Sequence, residues 1–194
     1  FVDGVRRGAK FYRTVFFFPV VISATAIGLM FFLFYDYNMG LFNQILMKFG
    51  AEKHLWMNES SALYMIAIPT IWQYVGFYFV IVLTGISTIP EDIYESAYLD
   101  GITGFKKTIY ITLPLIKGVL KSSLILVITG TLKIFDLAWT IAPKGIPNGK
   151  TYLLGTYQYH IVYDAYRVGY GCAIAVLIVV IGLGISSVSY THLR

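Results

Sequence analysis

Four apolar stretches, each long enough to cross a bilayer, restrict this chain of 194 residues more than any other feature of its sequence. They run from about Val15 to Tyr35, Ala62 to Ile89, Leu115 to Ile141 and Gly169 to Val188. A helix needs roughly 20 apolar residues to cross about 30 Å of hydrocarbon, and each stretch meets that length. Backbone groups in lipid must be satisfied internally, so runs of this kind are predicted helices. Stop signals follow three of them: Asp36-Tyr37-Asn38, Pro90 and Pro143. Pro69 lies inside the second run, where it either bends the helix or marks its real start. The predicted fold is therefore all-α and integral to the membrane, with four visible spans near 15–35, 62–89, 115–141 and 169–188.

Composition agrees with that reading. Charged residues make up 13% of the chain and hydrophobic ones 57%, whereas soluble domains carry about 25% charged residues. No polar linker, charge block or repeat divides residues 1–194, which read as a single transmembrane domain. The net charge of +5 does not point to nucleic acid, because the basic residues are scattered between apolar runs. They report orientation instead. Arg6, Arg7, Lys10, Arg13, Lys106, Lys107, Lys117, Lys121 and Arg194 fall on one side of an alternating arrangement of the four spans. Lys48, Lys53, Lys133, Lys144, Lys150 and Arg167 fall on the other. The densest cluster precedes the first span, where the positive-inside rule carries most weight. Both ends and the Pro90–Lys117 loop are thus predicted to be cytoplasmic. The chain opens at Phe1 without Met, and its basic cluster leads into a span too long for a signal-peptide core. It reads as beginning inside a longer protein.

Classical site chemistry is thin. Cys172 is the single cysteine, so no internal disulfide forms, and its small, apolar neighbours predict an ordinary buried thiol. His54, His160 and His192 are predicted to be solvated residues without a nearby carboxylate or cysteine partner, and no metal site is expected. A GxxxxGK[ST] phosphate loop does not occur, which puts ATP binding elsewhere.

The loop 90–114 is the most informative segment. Pro90 suits a first helical residue, and Glu91 and Asp92 complement a helix N-terminus. Gly101 stands where a left-handed closing residue is expected. Thr103 can cap a second short helix whose apolar positions Phe105, Ile109 and Leu113 recur at helical spacing, with Pro114 closing it. The physics alone gives a helix–turn–helix on the cytoplasmic face. An amphipathic loop resting on the bilayer would fit the same pattern.

Glu95-Ser-Ala-Tyr-Leu-Asp100-Gly101, followed by Phe105 and then Leu113-Pro114, resembles the EAA loop of binding-protein-dependent ABC permeases. That pattern is Glu-Ala-Ala, a Gly three residues on, then an apolar segment ending in Leu-Pro; here Ser96 replaces the first Ala. The resemblance implies that the loop docks into a cleft of a cytoplasmic ATPase subunit, through Glu95, Ala97, Asp100, Gly101, Phe105, Leu113 and Pro114. Arg13-Thr-Val-Phe-Phe-Phe-Pro19, Ile71-Trp72-Gln-Tyr-Val-Gly76-Phe77 and Phe135-Asp136-Leu137 are similar to helix segments of the sugar-permease branch. Pro143-Lys-Gly-Ile-Pro147 stands where that branch has Gly-Gly-Gly-Pro. Such permeases have six core helices, so two are expected before Phe1, and Ser189–Arg194 reads as a shortened tail. The resemblance further implies a second permease subunit, an extracytoplasmic solute-binding protein and surrounding lipid as partners. ATP and Mg would sit on the partner ATPase, with no cofactor on this chain and no catalytic site in it. The expected function is the translocation path for a carbohydrate-type solute in an ATP-driven importer; a non-sugar solute is the alternative. A secondary transporter would more often show internal repeats and charges at the bilayer centre. A multi-span enzyme would show clustered His, Asp or Glu at helix ends.

Solute contacts are less defined. Ser122, Thr129, Lys133, Asp136 and Thr140 fall on one face of a continuous third helix at about 100° per residue. Such a stripe either lines the path, with Lys133 and Asp136 paired near its outer mouth, or reflects packing hydroxyls and a snorkelling lysine. Trp72, Gly76 and Phe79 share a face of the second span. They either stack on sugar faces or pack against neighbouring helices.

Overall fold

The computed structural model describes residues 9–191, which contain helices and no strand. Arg6, Arg7, His192 and Arg194 lie outside the described residues. The first apolar run is not one rod. Helices α1 (Ala9–Val21) and α2 (Ala24–Phe34) meet at 88° across Ile22-Ser23. At 1.5 Å per residue they are about 20 and 16 Å long, so neither alone crosses the hydrocarbon. The expected continuous helix over 15–35 is corrected accordingly. Pro19, inside α1, removes one backbone donor just before the break. The carbonyl of Ile22 is then taken by the Nε2 of Gln73, which donates to it at 3.2 Å. A break at membrane depth persists only where protein or water satisfies the freed backbone, and Gln73 supplies that contact.

A short helix, α3 (Leu41–Lys48), follows in the connection to the second span. Asn43, within α3, is fully buried and fully used. Its Nδ2 donates to the carbonyls of Tyr37 and His54, and its Oδ1 accepts from the His54 N–H and the Trp56 indole. A buried amide with all four positions satisfied fixes a loop that has little other regular structure.

The second span is α4 (Ala62–Ser87), 26 residues long. Pro69 lies within it and does not mark its start. The Met65 carbonyl, orphaned because Pro69 has no N–H, accepts instead from the Tyr35 hydroxyl at 2.9 Å. At Gly76 the α1 backbone comes so close that an added Cβ would collide with the Phe16 carbonyl.

Two short helical elements, α5 (Glu91–Leu99) and α6 (Gly104–Leu115), precede α7 (Lys117–Thr131), which meets α6 at 70°. The expected third helix over 115–141 is also corrected. α7 stops at Thr131, Leu132–Phe135 is irregular, and the chain resumes as α8 (Asp136–Ile141). With 15 residues, α7 is about 22 Å long. The helical stripe from Ser122 to Thr140 therefore does not exist as one face. Thr140 turns towards α2, where a Cβ on Gly28 would lie 2.8 Å from the Thr140 Cβ. α2 and α8 pack there, and Ile27, Tyr35, Ile66, Leu137, Ala138 and Ile141 form the buried core with α4.

Beyond a 3-10 turn at Pro143–Gly145, α9 (Leu154–Tyr159) runs into a π turn, His160–Asp164. That turn brings His160 Nδ1 within 2.9 Å of Asp164 Oδ2, so His160 does have a carboxylate partner, contrary to the sequence expectation. The last span, α10 (Val168–Thr191), carries an apolar window of which only 11% is buried. Cys172 is exposed on it rather than buried. Small neighbours did not imply burial, because α10 is covered on one side only; Gly171, one position earlier, is buried against Val162. Apolar helices exposed on this scale face lipid or neighbouring helices.

Candidate functional site

Two features are candidates for a functional site: the helical pair 90–115 and a cavity between α4 and α7. The pair is built from local rules. Pro90 is the N-cap of α5 rather than its first residue, and Glu91 and Asp92 occupy the first turn. At the other end Gly101 has φ +73°. Ile102 N–H donates to the Ala97 carbonyl at 2.8 Å and Gly101 N–H to the Tyr98 carbonyl at 3.1 Å, the two bonds of a Schellman cap. Thr103 occupies the N-cap of α6 in extended conformation but makes no side-chain capping bond.

Pro114 does not close α6. The helix continues to Leu115, and the chain turns at Ile116. A π turn over Thr108–Thr112 precedes the proline. Its wider ring relieves the clash that a proline ring makes with the carbonyl four residues back.

The docking candidates divide by exposure. Phe105 is 79% exposed and Leu113 42%, and Glu95, Asp100, Gly101 and Pro114 are exposed as well. Ala97 is 4% exposed, so it packs the loop internally and offers no surface to a partner. Tyr98 and Leu99, at 71% and 86%, are exposed at the end of α5 as Phe105 is at the start of α6, so apolar groups flank the Gly101 turn on both sides, a tip that sequence reasoning had not assembled. Glu91, Tyr94, Glu95, Tyr98 and Leu99 line a shallow groove of about 370 Å³ along α5.

The path candidates divide differently. Gly76 is closed off by Phe16, the Phe79 ring lies 5.2 Å from the Phe16 ring, and the Trp72 ring lies 6.0 Å from that of Phe31. These three residues meet the first span. Thr129 returns its hydroxyl to the Ile125 carbonyl. Lys133 and Asp136, in and just after the break in the third run, form no ion pair within 4 Å. Both instead line a cavity of about 150 Å³ with Ala24, Thr70, Gln73 and Tyr74. An adjoining cavity of about 330 Å³ is lined by Thr70, Tyr74, Tyr78, Gly130 and Thr131 among others.

Gln73 has no part in the site residues that the sequence offers. It is 4% exposed, donates to Ile22, and leaves its buried Oε1 without a partner, while the residue lines the smaller cavity. A buried carbonyl oxygen left unpaired is costly, which makes Gln73 the polar group of this region that stands to gain most from a donor. Thr70, Tyr74 and Tyr78 recur at intervals of four, a helical signal that could have been read beside the Trp72 face.

Residues 4–193 match the family described as "Binding-protein-dependent transport system inner membrane component". The "Probable ABC transporter permease protein YurN" of Bacillus subtilis is 32% identical over 185 residues, covering 94% of this chain and 63% of that one. The "Trehalose/maltose transport system permease protein MalF" of Thermococcus litoralis is 35% identical over 171 residues, covering 88% of this chain and 56% of the relative. The chain thus spans between half and two thirds of the length of these relatives. A chain of a bacterial alginate ABC transporter, crystallised with an alginate pentasaccharide-bound periplasmic protein, has the same fold. Its TM-score is 0.86 at 22% identity, over 97% of this chain and 66% of that one. With two apolar spans, two bent helix pairs and a family match over residues 4–193, this chain belongs to the inner-membrane components of binding-protein-dependent transport systems.

Proposed function

We propose that this chain forms part of the translocation path of an ATP-driven importer for a carbohydrate-type solute. The helical pair 90–115 faces the cytoplasm and docks on an ATPase subunit. The observation that carries this reading is the apolar tip of that pair: Tyr98, Leu99 and Phe105 project from two short helices whose turn is fixed by the Gly101 cap. Exposed apolar groups on a rigid, polar-sided element mark an interaction site. Acidic groups on α5, Glu91, Asp92 and Glu95, give the same surface a negative side.

The solute class is supported by the cavity. The Tyr74 and Tyr78 hydroxyls can donate, and the Thr70 and Thr131 hydroxyls, which donate to Ile66 and Ile128, can accept, beside the unpaired Gln73 Oε1 and among apolar walls, which is the chemistry that a polyhydroxylated ring requires. The chain itself performs no bond chemistry on this reading. ATP and Mg are bound by the partner ATPase, whose hydrolysis moves this subunit and a second permease subunit between outward- and inward-facing states. A solute-binding protein delivers the cargo from outside.

The test is a pull-down of the ATPase by the full-length permease. Glu95→Lys reverses a charge on the exposed face of α5 and is expected to weaken association about tenfold, within the range for charge reversal at an interface. Lys150→Ala, on the opposite side of the membrane, is expected to have no effect. Equal recovery of the ATPase with Glu95→Lys and with the unaltered permease would refute the docking assignment.

A further inference from the structure

Among the described residues three lysine or arginine groups sit over tyrosine rings, and one of these contacts joins the two helices of the docking element. Lys107 Nζ lies 3.8 Å from the centroid of the Tyr94 ring, well inside the reach of a cation–π contact. The other two are longer, at 5.6 and 5.1 Å; Lys53 over Tyr37 joins the segments on either side of α3, and Arg167 over Tyr170 lies at the start of α10. The tyrosine is held at its far end too. Its hydroxyl is 3.3 Å from Thr112 Oγ1, and Thr112 Oγ1 is 3.5 Å from the Lys107 carbonyl. A consistent direction runs through all three: the Tyr94 hydroxyl donates to Thr112, and the Thr112 hydroxyl donates to the Lys107 carbonyl.

The triangle depends on the π turn. Thr112 reaches the carbonyl five residues back because Thr108–Thr112 is wound one residue wider than an α-helix. Burial is consistent with a built contact. Thr112 is 9% exposed and Tyr94 and Lys107 are half-buried, whereas the adjacent Lys106 is exposed. No other hydrogen bond or ring contact among the described residues joins Glu91–Leu99 to Gly104–Leu115. The cap at Gly101 sets where the chain turns, but a cap alone leaves the angle between two short helices free to vary.

We infer that Lys107 is a positioning residue for coupling: seated on Tyr94, and with Tyr94 bonded to Thr112, it fixes the angle at which α5 and α6 present Tyr98, Leu99 and Phe105 to the ATPase. The inference rests on the docking role proposed above. It assigns the clasp a job separate from contact, because Lys107 holds the element rather than touching the partner.

The experiment uses the full-length permease assembled with its partner subunits. Spin labels at Asp92→Cys and Tyr110→Cys, in a Cys172→Ala background, report the distance between α5 and α6. ATP hydrolysis is measured in parallel with ATP and Mg and no added solute. Lys107→Met and Tyr94→Leu are each expected to broaden a single narrow distance and to lower hydrolysis about tenfold. Lys107→Arg, which keeps a cation over the ring, is expected to restore both to within about twofold. The double variant is expected to be no worse than either single one, because both changes remove one interaction. An unchanged distance in Lys107→Met, or additive effects in the double variant, would overturn the clasp. Broadened distances with unaltered hydrolysis would remove its coupling role. If Glu95→Lys also leaves the ATPase bound, the docking assignment itself falls; if Glu95→Lys releases it, the loss is confined to Lys107.

Discussion

Replacing Gly101 isolates a backbone effect with unusual clarity. Its φ of +73° lies in the left-handed region, and nothing lies within 4 Å of the position an added Cβ would take. A larger side chain therefore meets no neighbour, and any cost comes from conformation alone. For a residue with a Cβ that cost is about 1–2 kcal/mol, with β-branched residues at the upper end and asparagine near the bottom. About 1–2 kcal/mol is a 5–30-fold shift between the capped and uncapped turn. If docking requires the capped turn, the Kd for the ATPase rises by up to that factor. Gly101→Val is accordingly expected to weaken ATPase binding about 10–30-fold, Gly101→Ala about fivefold, and Gly101→Asn about twofold or less. The assay is a titration of the ATPase against each full-length variant in detergent, with helix content and membrane insertion measured alongside. Valine and asparagine variants that bind equally well, or equally badly, would refute the conformational argument.

Two further outcomes test the fold around this loop. Gly76→Ala places a Cβ on the Phe16 carbonyl, so α1 and α4 must move apart; overpacking of this kind costs about 1–3 kcal/mol and should lower the Tm of the purified permease, while an unchanged Tm would contradict the close approach. Single cysteines at Lys106 and Lys150, both exposed, in a Cys172→Ala background should differ towards an impermeant thiol reagent added to intact cells. Lys150→Cys is expected to react and Lys106→Cys to stay protected, whereas equal labelling would overturn the proposed orientation.

The long apolar runs and the 90–114 loop were legible because their signals are local. Hydrophobic length reports α4 and α10, and the Gly101 cap follows from residue type and distance from Pro90. The two breaks were not legible, because their causes are tertiary. Nothing in the composition of Val15–Tyr35 distinguishes a bent pair from a straight span. The amide that stabilises the bend, Gln73, lies 51 residues from Ile22. The same limit misled the reading of the third run, where a polar stripe was drawn across a helix that stops at Thr131. Lys133 and Asp136 line a cavity because the backbone is broken there, not because they share a helical face. Gln73 is not singled out by the sequence, because a lone polar residue in a span has no sequence neighbour to give it a role; its role comes from the Ile22 carbonyl it meets and the cavity it lines.

The central claim is that the tip of the α5–α6 pair touches an ATPase subunit, and a site-specific photo-crosslink tests it most directly. A photoreactive residue at Phe105, 79% exposed at that tip, is compared with one at Ile146, 47% exposed in the loop between the third and fourth spans. In the assembled full-length transporter, Phe105 is expected to give one crosslinked product that contains the ATPase, and Ile146 none. Absence of an ATPase adduct from Phe105, with the transporter intact and the photoreactive group competent, would contradict the account.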